Sequence, residues 1–112
     1  MNHKELDVWK KSMDLVDCIY EISNSFPDTE QFGLTSQIRR TSVSIPSNIA
    51  EGASRKGNRE FVQFLHIALG SLSEVETQYL ISVRIGYITK NDELEKLIND
   101  VKKLLLGFRN YL

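Results

Sequence analysis

The sequence predicts an all-α protein: an antiparallel up-down four-helix bundle with a proline kink in its second helix. Apolar residues recur every three or four positions through four stretches of the chain, and no stretch reads as a strand. The segments between these stretches are short, so neighbouring helices should run antiparallel. A length of 112 residues suits one domain covering residues 1–112.

The first helix is predicted over residues 6–24. Phe26 and Pro27 follow it, and the residue before a proline avoids the helical backbone conformation. We expect one apolar stripe to face the core and a second set to flank it. The stripe is Leu6, Trp9, Met13, Val16 and Tyr20, and the flank is Val8, Leu15, Ile19 and Ile22.

The second helix is predicted from Thr35, a favourable N-cap residue, to about Glu51 or Ala53. Pro46 lies inside it and cannot donate to the Ser42 carbonyl. Because the residue pattern keeps its phase across Pro46, we expect a kink and not an end. The apolar flank of this helix is Leu34, Ile38, Ile45 and Ile49.

Polar residues of the second helix occupy the spacing at which a packed helix normally places apolar ones. This polar stripe consists of Gln37, Thr41, Ser44, Asn48 and Glu51. It predicts a buried polar network, which can select one arrangement of packed partners. Ser71 and Glu74 of the third helix would complete the network.

The third helix is predicted over residues 59–86, with Asn58 as its cap. Three sets at helical spacing, most of their members apolar, cover most of its circumference, which indicates burial on several sides. The sets are Phe61, Leu65, Ala68, Leu72, Val75 and Tyr79; then Phe64, Ile67, Ser71, Glu74, Gln78, Ile81 and Ile85; then Val62, Leu69, Leu80 and Tyr87. Gly70 is the expected point of close helix approach because it has no side chain.

The fourth helix follows a turn at residues 89–91, where Thr89, Asn91 and Asp92 are suitable caps. Its stripe is Leu94, Ile98, Val101, Leu105, Phe108 and Leu112. The apolar surface of the first and third helices exceeds what one bundle needs, so a subunit interface is predicted. The candidate interface residues are Val62, Leu69, Leu80 and Tyr87, or Val8 and Leu15.

The sequence shows no pattern typical of a catalytic, cofactor or metal site. Neither His3 nor His66 follows a glutamate by three residues, as the histidine ligands of di-iron bundles do. There is no nucleophile elbow and no phosphate-binding glycine loop. Glu51 and Glu74, if both point inward, form the one acid–base pair to consider. Hydrogen bonding within the polar network is the favoured interpretation, so we expect no enzyme.

Cys18 is the only cysteine, which excludes an intrachain disulfide and suits the cytoplasm. With no nearby histidine in sequence, it is interpreted as a buried structural residue. The N-terminus lacks a signal-peptide apolar region, and the longest leucine run, residues 104–106, is far too short to span a membrane.

The net charge is −1, but residues 35–60 carry five basic and two acidic side chains. The basic ones, Arg39, Arg40, Arg55, Lys56 and Arg59, are candidate nucleic-acid contacts. At roughly 1.5 Å per residue the helix separates them into two patches about 20 Å apart. Two interpretations stay open: phosphate contact, or a solvated loop with one arginine that satisfies the polar stripe.

The chain also resembles a known family. The residues that carry the resemblance are Trp9, Phe-Pro at 26–27, Glu30, Gly-Leu-Thr at 33–35, Gln-Ile-Arg-Arg at 37–40, Ser-Ile-Pro-Ser-Asn-Ile-Ala-Glu-Gly at 44–52, Ala-Leu-Gly-Ser-Leu-Ser-Glu at 68–74 and Ile-Gly-Tyr-Ile at 85–88. They are similar to the four-helix bundle proteins of the bacterial 23S ribosomal RNA intervening-sequence family.

The resemblance implies a homo-oligomer, typically a pentameric ring, without a settled activity. A related branch consists of accessory proteins of diversity-generating retroelements, which bind a reverse transcriptase and nucleic acid. Those proteins are strongly basic, whereas this chain is slightly acidic. We therefore expect a non-enzymatic, cytoplasmic scaffold or adaptor that binds further copies of itself to form a homo-oligomer. The alternative is a nucleic-acid-associated accessory protein that binds RNA, DNA or a nucleic-acid enzyme.

Overall fold

Four long helices account for most of the chain. The computed structural model describes all 112 residues. The helices are α1 (Asp7–Ser23), α2 (Leu34–Ala53), α3 (Asn58–Arg84) and α4 (Asp92–Tyr111). Short 3-10 turns at His3–Glu5 and Asp28–Glu30 precede α1 and α2. The all-α prediction is confirmed, and Pro46 lies within an uninterrupted α2.

Each helix packs against two neighbours. The packed pairs are α1 with α2, α2 with α3, α3 with α4, and α4 with α1, which leaves α1 and α3 on one diagonal. Contacts such as Thr41 with Gln78 and Phe61 with Phe108 pair the start of one helix with the end of the next. The bundle measures 43 × 25 × 19 Å.

The core lies along one seam of each helix. The predicted α3 stripe from Phe61 to Tyr79 is entirely buried. In α4, Leu94, Ile98, Val101 and Leu105 are buried, while the last two stripe residues are half-buried against the core. The core assignments for these two helices are therefore confirmed.

The predicted phase of α1 is wrong. The buried seam is Val8, Ser12, Leu15 and Ile19, so the expected flank faces the core, while the residues of the expected stripe are half-buried or exposed. Ser12 is fully buried, and its hydroxyl is satisfied there because it donates to the Trp9 carbonyl at 2.7 Å. A serine satisfied by its own helix occupies a core position at little cost. A count of apolar residues alone therefore misses this seam.

The same explanation applies to α2. Its buried seam is Ile38, Ser42, Ile45 and Ile49, again the expected flank plus one serine. The Ser42 hydroxyl donates to the Arg39 carbonyl at 2.8 Å. The polar stripe of α2 consequently lies beside the core and not within it.

Glu30 fixes the start of α2. Its carboxylate accepts the Leu34 amide at 3.0 Å through Oε1 and the Tyr87 hydroxyl at 2.7 Å through Oε2. Gly33 leaves room for this carboxylate, because a Cβ there would collide with Glu30 Oε1. The prediction that Thr35 caps this helix is wrong, since α2 begins at Leu34.

The start of α4 is fixed by a tyrosine. The Tyr79 hydroxyl donates to Glu95 Oε2 at 2.7 Å and accepts the Asn91 amide at 2.8 Å. Asn91, one of the three predicted caps, is the N-cap of α4, and its Oδ1 accepts the Leu94 amide. Asn58 does not cap α3, which instead begins at Asn58 after Gly57 without a side-chain cap.

Close approach between helices occurs at Gly52 and not at Gly70. A Cβ on Gly52 would lie 2.8 Å from Phe61 Cδ1 and from Phe64 Cβ, whereas no atom lies within 4 Å of such a Cβ on Gly70. The expectation for Gly70 is therefore wrong, because Gly70 lies on the exposed side of α3. Gly52 is where α2 meets α3 most closely.

Gly52→Ala should lower the free energy of unfolding by about 1–3 kcal/mol, because the added methyl overpacks the α2–α3 contact. Gly107→Ala is the matched control: it too lies within a helix, with open space around its Cβ. That control should gain roughly 0.5–1 kcal/mol from helix propensity. Urea unfolding of both variants measures the difference, and equal stabilities would contradict the packing role of Gly52.

Tyr87→Phe should destabilise the protein at neutral pH. The Tyr87 hydrogen bond lowers the pKa of Glu30. A carboxyl pKa that is lower in the folded state stabilises the protein at pH values above the unfolded-state pKa, about 4.3. This stabilisation is lost as the pH falls through the folded-state pKa. The deficit of the variant should therefore shrink on acidification. The readout is the urea midpoint against pH, with Tyr111→Phe as an exposed control. A pH-independent deficit would mean that the loss of the hydroxyl is not coupled to the ionisation of Glu30.

Candidate functional site

The polar stripe of α2 does not form a buried network within one chain. Gln37 and Glu51 are exposed, and Thr41, Ser44 and Asn48 are half-buried. The Ser44 hydroxyl and the Asn48 amide donate to the Thr41 and Ser44 carbonyls of the same helix. The prediction of a buried internal network is therefore wrong, because these side chains donate to backbone carbonyls of their own helix.

Gln78 makes the one hydrogen bond that links this stripe to α3. Its Nε2 donates to Thr41 Oγ1 at 3.3 Å. Thr41 uses its single hydroxyl proton on the Gln37 carbonyl at 2.8 Å, so its oxygen can only accept from Gln78. In this arrangement Thr41 Oγ1 accepts from Gln78 and donates to the Gln37 carbonyl.

The other amide atom of Gln78 lacks a partner. Gln78 is 6% exposed, and its Oε1 is buried without a hydrogen-bond donor from the chain. A buried acceptor left in this way costs roughly 1–3 kcal/mol. The sequence placed Gln78 on an apolar set of α3, but only the packed structure reveals the unmatched atom.

Gln78 lines an open groove between α2 and α3, which we name the α2–α3 groove. Its volume is about 380 Å³. Its lining residues are Leu34, Gln37, Ser73, Glu74, Thr77, Gln78 and Ile81. Glu74 is exposed and is the one charged residue of the lining. The idea of an inward Glu51–Glu74 acid–base pair is therefore wrong, since both carboxylates are exposed.

Large apolar side chains are exposed along α3 and at its C-cap residue, Ile85. We name them the α3 surface: Ile67 (51% exposed), Leu80 (55%), Ile81 (43%) and Ile85 (51%). Three of them belong to the second apolar set that the sequence showed. Ile81 is shared with the α2–α3 groove, so the two features are continuous.

A second apolar surface lies between α1 and α2. This α1–α2 groove, about 340 Å³ in volume, contains much of the α1 stripe that was expected in the core. Its apolar lining is Trp9, Met13, Val16, Val43, Pro46 and Ala50. The helical spacing of Trp9, Met13 and Val16 was visible in the sequence, but the prediction placed these residues in the core.

The predicted interface residues divide into three groups. Val8 and Leu15 are in the core, so the prediction that they line a subunit interface is wrong. Val62 and Leu69 are half-buried, and Tyr87 is half-buried with its hydroxyl on Glu30 and its ring 5.7 Å from that of Phe26. Leu80 is exposed and belongs to the α3 surface.

Two of the five candidate basic contacts are already engaged. Arg39 joins α2 to the end of α1, donating to Ser23 Oγ at 2.8 Å and Asn24 Oδ1 at 3.0 Å. Arg55 pairs with Glu51 at 3.0 Å and lies over the Phe64 ring. Glu51 is the last residue of the polar stripe, so an arginine does satisfy the stripe, as one interpretation held.

Arg40, Lys56 and Arg59 are exposed and form no salt bridge within the chain. Lys56 and Arg59 flank the start of α3, and Arg40 lies in the first half of α2. Of the two predicted patches, the first therefore keeps one exposed cation without a salt bridge, Arg40, and the second keeps two, Lys56 and Arg59.

The remaining reactive groups are placed as follows. Cys18 is buried, and desolvation raises the pKa of its thiol to about 11, so the thiol stays protonated. No group of three or more His, Cys, Asp and Glu side chains is placed to hold a metal ion. The helices lack an apolar stretch of the length that a bilayer span requires.

Known proteins share this architecture. The family model described as 23S rRNA-intervening sequence protein matches residues 4–107. The chain is also similar to a crystallised protein with unknown function from the S23 ribosomal protein family of Bacteroides thetaiotaomicron VPI-5482. That similarity has a TM-score of 0.82 and 26% sequence identity, and it covers 91% of this chain and 97% of the other. No curated protein matches the chain.

Proposed function

Because the chain belongs to the 23S rRNA-intervening sequence protein family, we propose that it is a non-enzymatic, homo-oligomeric scaffold or adaptor of the cytoplasm. The similar crystal structure is of a protein with unknown function, so no activity is carried over from it. The observation that carries the proposal is the α3 surface, four large aliphatic side chains exposed on α3 and at its C-cap.

The energetics of these side chains support association. Covering one half-exposed isoleucine or leucine contributes on the order of 1 kcal/mol, at about 25 cal/mol per Å² of apolar area. The four residues of the α3 surface together would supply only part of what association costs. The α1–α2 groove offers the additional apolar area that a stable contact needs.

The placement of the two surfaces supports a head-to-tail contact. The α1–α2 groove and the α3 surface are different patches, and α1 and α3 are diagonal in the bundle. Contact between two unlike patches repeats around a ring when the rotation between subunits closes. A pentamer, which the sequence resemblance implies, is a ring of this kind.

Ile81→Glu should dissociate the oligomer to the 12.9 kDa chain, because a carboxylate cannot be covered in an apolar contact without a large desolvation cost. Asn99→Glu adds the same charge at an exposed position of α4 and should keep the wild-type mass. Light scattering measures the mass, and circular dichroism verifies that both variants stay helical. A monomeric wild type, or an unchanged mass for Ile81→Glu, would contradict the proposal.

A second candidate function is nucleic-acid association. It is supported by Lys56 and Arg59, which are exposed near the start of α3 without an acidic partner. An oligomer would repeat this pair once per subunit and so raise the local positive charge. The engagement of Arg39 and Arg55 leaves fewer free cations than the sequence suggested.

The test of this second function is an RNA and DNA titration at low and high salt, with protein of known mass. If the function is correct, affinity should fall steeply with salt because phosphate contacts release counterions. The Lys56→Gln/Arg59→Gln variant should then lose most binding, while Lys102→Gln, an exposed change on α4, should keep it. Absence of binding at low salt would leave the protein-binding scaffold alone.

A further inference from the structure

We propose that α1 of one subunit packs parallel to the second half of α3 of the next subunit, with two ion pairs that fix the direction of the contact. Lys10 of one copy pairs with Glu74 of the other, and Asp17 pairs with Arg84. The inference deepens the proposed function and rests on it, because it assumes self-association through unlike patches. It adds which helices meet, in which direction and through which charges.

An exposed row of four side chains runs along the outer side of α1. We name it the α1 row: Lys10, Met13, Asp17 and Tyr20. Their spacing of three, four and three residues places them on one face of the helix. Met13 is 39% exposed and Tyr20 is 42% exposed, and Met13 also lines the α1–α2 groove. The row therefore continues the apolar surface to which the proposed function assigns self-association.

The second half of α3 presents an exposed row with the same spacing. We name it the α3 row: Glu74, Thr77, Ile81 and Arg84. Ile85 is exposed beside it, and an open depression of about 510 Å³ borders it. Side chains that recur every three and four residues form the seam through which one helix packs on another. The two rows are therefore suited to each other in length and spacing.

The order of the charges selects the parallel direction. On α1 the cation comes first, Lys10 before Asp17, whereas on α3 the carboxylate comes first, Glu74 before Arg84. Parallel packing brings unlike charges together, and antiparallel packing would bring like charges together. At roughly 1.5 Å per residue, the two charges are about 10 Å apart on α1 and about 15 Å apart on α3. Long lysine and arginine side chains can span the difference.

The four charged side chains are available for such pairs. Each is exposed, and none forms a salt bridge within its own chain. When the pairs form, Met13 lies beside the helical turn that ends at Ile81, and Tyr20 lies beside Ile85. The apolar side chains then supply affinity, while the ion pairs supply direction and register, because a shifted contact separates the unlike charges.

The symmetry of a ring requires the same direction. Each short connection reverses the chain, so α1 and α3 run in the same direction, on one diagonal of the bundle. In a ring whose axis runs along the bundles, every subunit points the same way. Contact between α1 of one copy and α3 of the next is then parallel. The direction that the charges select is therefore the one that such a ring needs.

A charge exchange tests the Asp17–Arg84 pair. Arg84→Glu should weaken association about tenfold or more, because it opposes two carboxylates, and Asp17→Lys should do the same by opposing two cations. The double variant Asp17→Lys/Arg84→Glu restores an unlike pair at every head-to-tail contact and should recover most of the affinity. Glu76→Lys, a charge reversal at an exposed position of α3 outside the row, should keep wild-type affinity. Sedimentation velocity across a concentration series at low salt supplies the values.

Recovery in the double variant distinguishes a direct pair from a general effect of charge or folding, because independent effects would add and not cancel. Circular dichroism verifies that the variants stay helical. Wild-type affinity for Arg84→Glu, or a double variant no tighter than the single ones, overturns the inference while the oligomeric scaffold stands. A monomeric wild type overturns both.

Thiol cross-linking measures the direction of packing. In a parallel contact, Tyr20 lies near Ile85 of the next copy and far from Ile67, which is roughly 27 Å earlier along α3. Tyr20→Cys/Ile85→Cys treated with a short bis-maleimide should therefore give covalent products of several chains, whereas Tyr20→Cys/Ile67→Cys should remain single chains. Cys18 is buried, so the native thiol contributes little. Multi-chain products through Ile67 instead, or in neither variant, overturn the inference.

Discussion

The close contact between α2 and α3 is the constraint on which the rest of the molecule depends. These two helices pack more extensively than any other pair. Gly52 permits it, because the aromatic side chains of Phe61 and Phe64 occupy the space that a larger residue would need. Farther along the same pair of helices, Gln78 donates to Thr41 beside the α2–α3 groove.

Side-chain hydrogen bonds at one end of the bundle hold the helix connections. Glu30 ties the start of α2 to Tyr87, which follows α3, and Arg39 ties α2 to the end of α1. These residues come from the segments that carried the family resemblance. Several of the family-typical residues therefore have a structural role in this chain, and their presence is not evidence of catalytic chemistry.

What remains for function is the surface that folding leaves unsatisfied. Arg39 and Arg55 are used within the chain, whereas the α3 surface, the α1–α2 groove and Gln78 Oε1 have no internal partner. Exposed apolar rows suit association but discriminate poorly between registers.

The sequence by itself determined the helical class and placed each helix limit to within two residues. It also determined the seams of α3 and α4, because those seams are built almost wholly from apolar residues at regular spacing. It did not determine the seams of α1 and α2, since Ser12 and Ser42 are buried through bonds to their own helices. The true place of the polar stripe, the engagement of Arg39 and the unmatched Gln78 depended on neighbouring helices. Tertiary packing alone decides which polar groups find partners, and so which surfaces remain for binding.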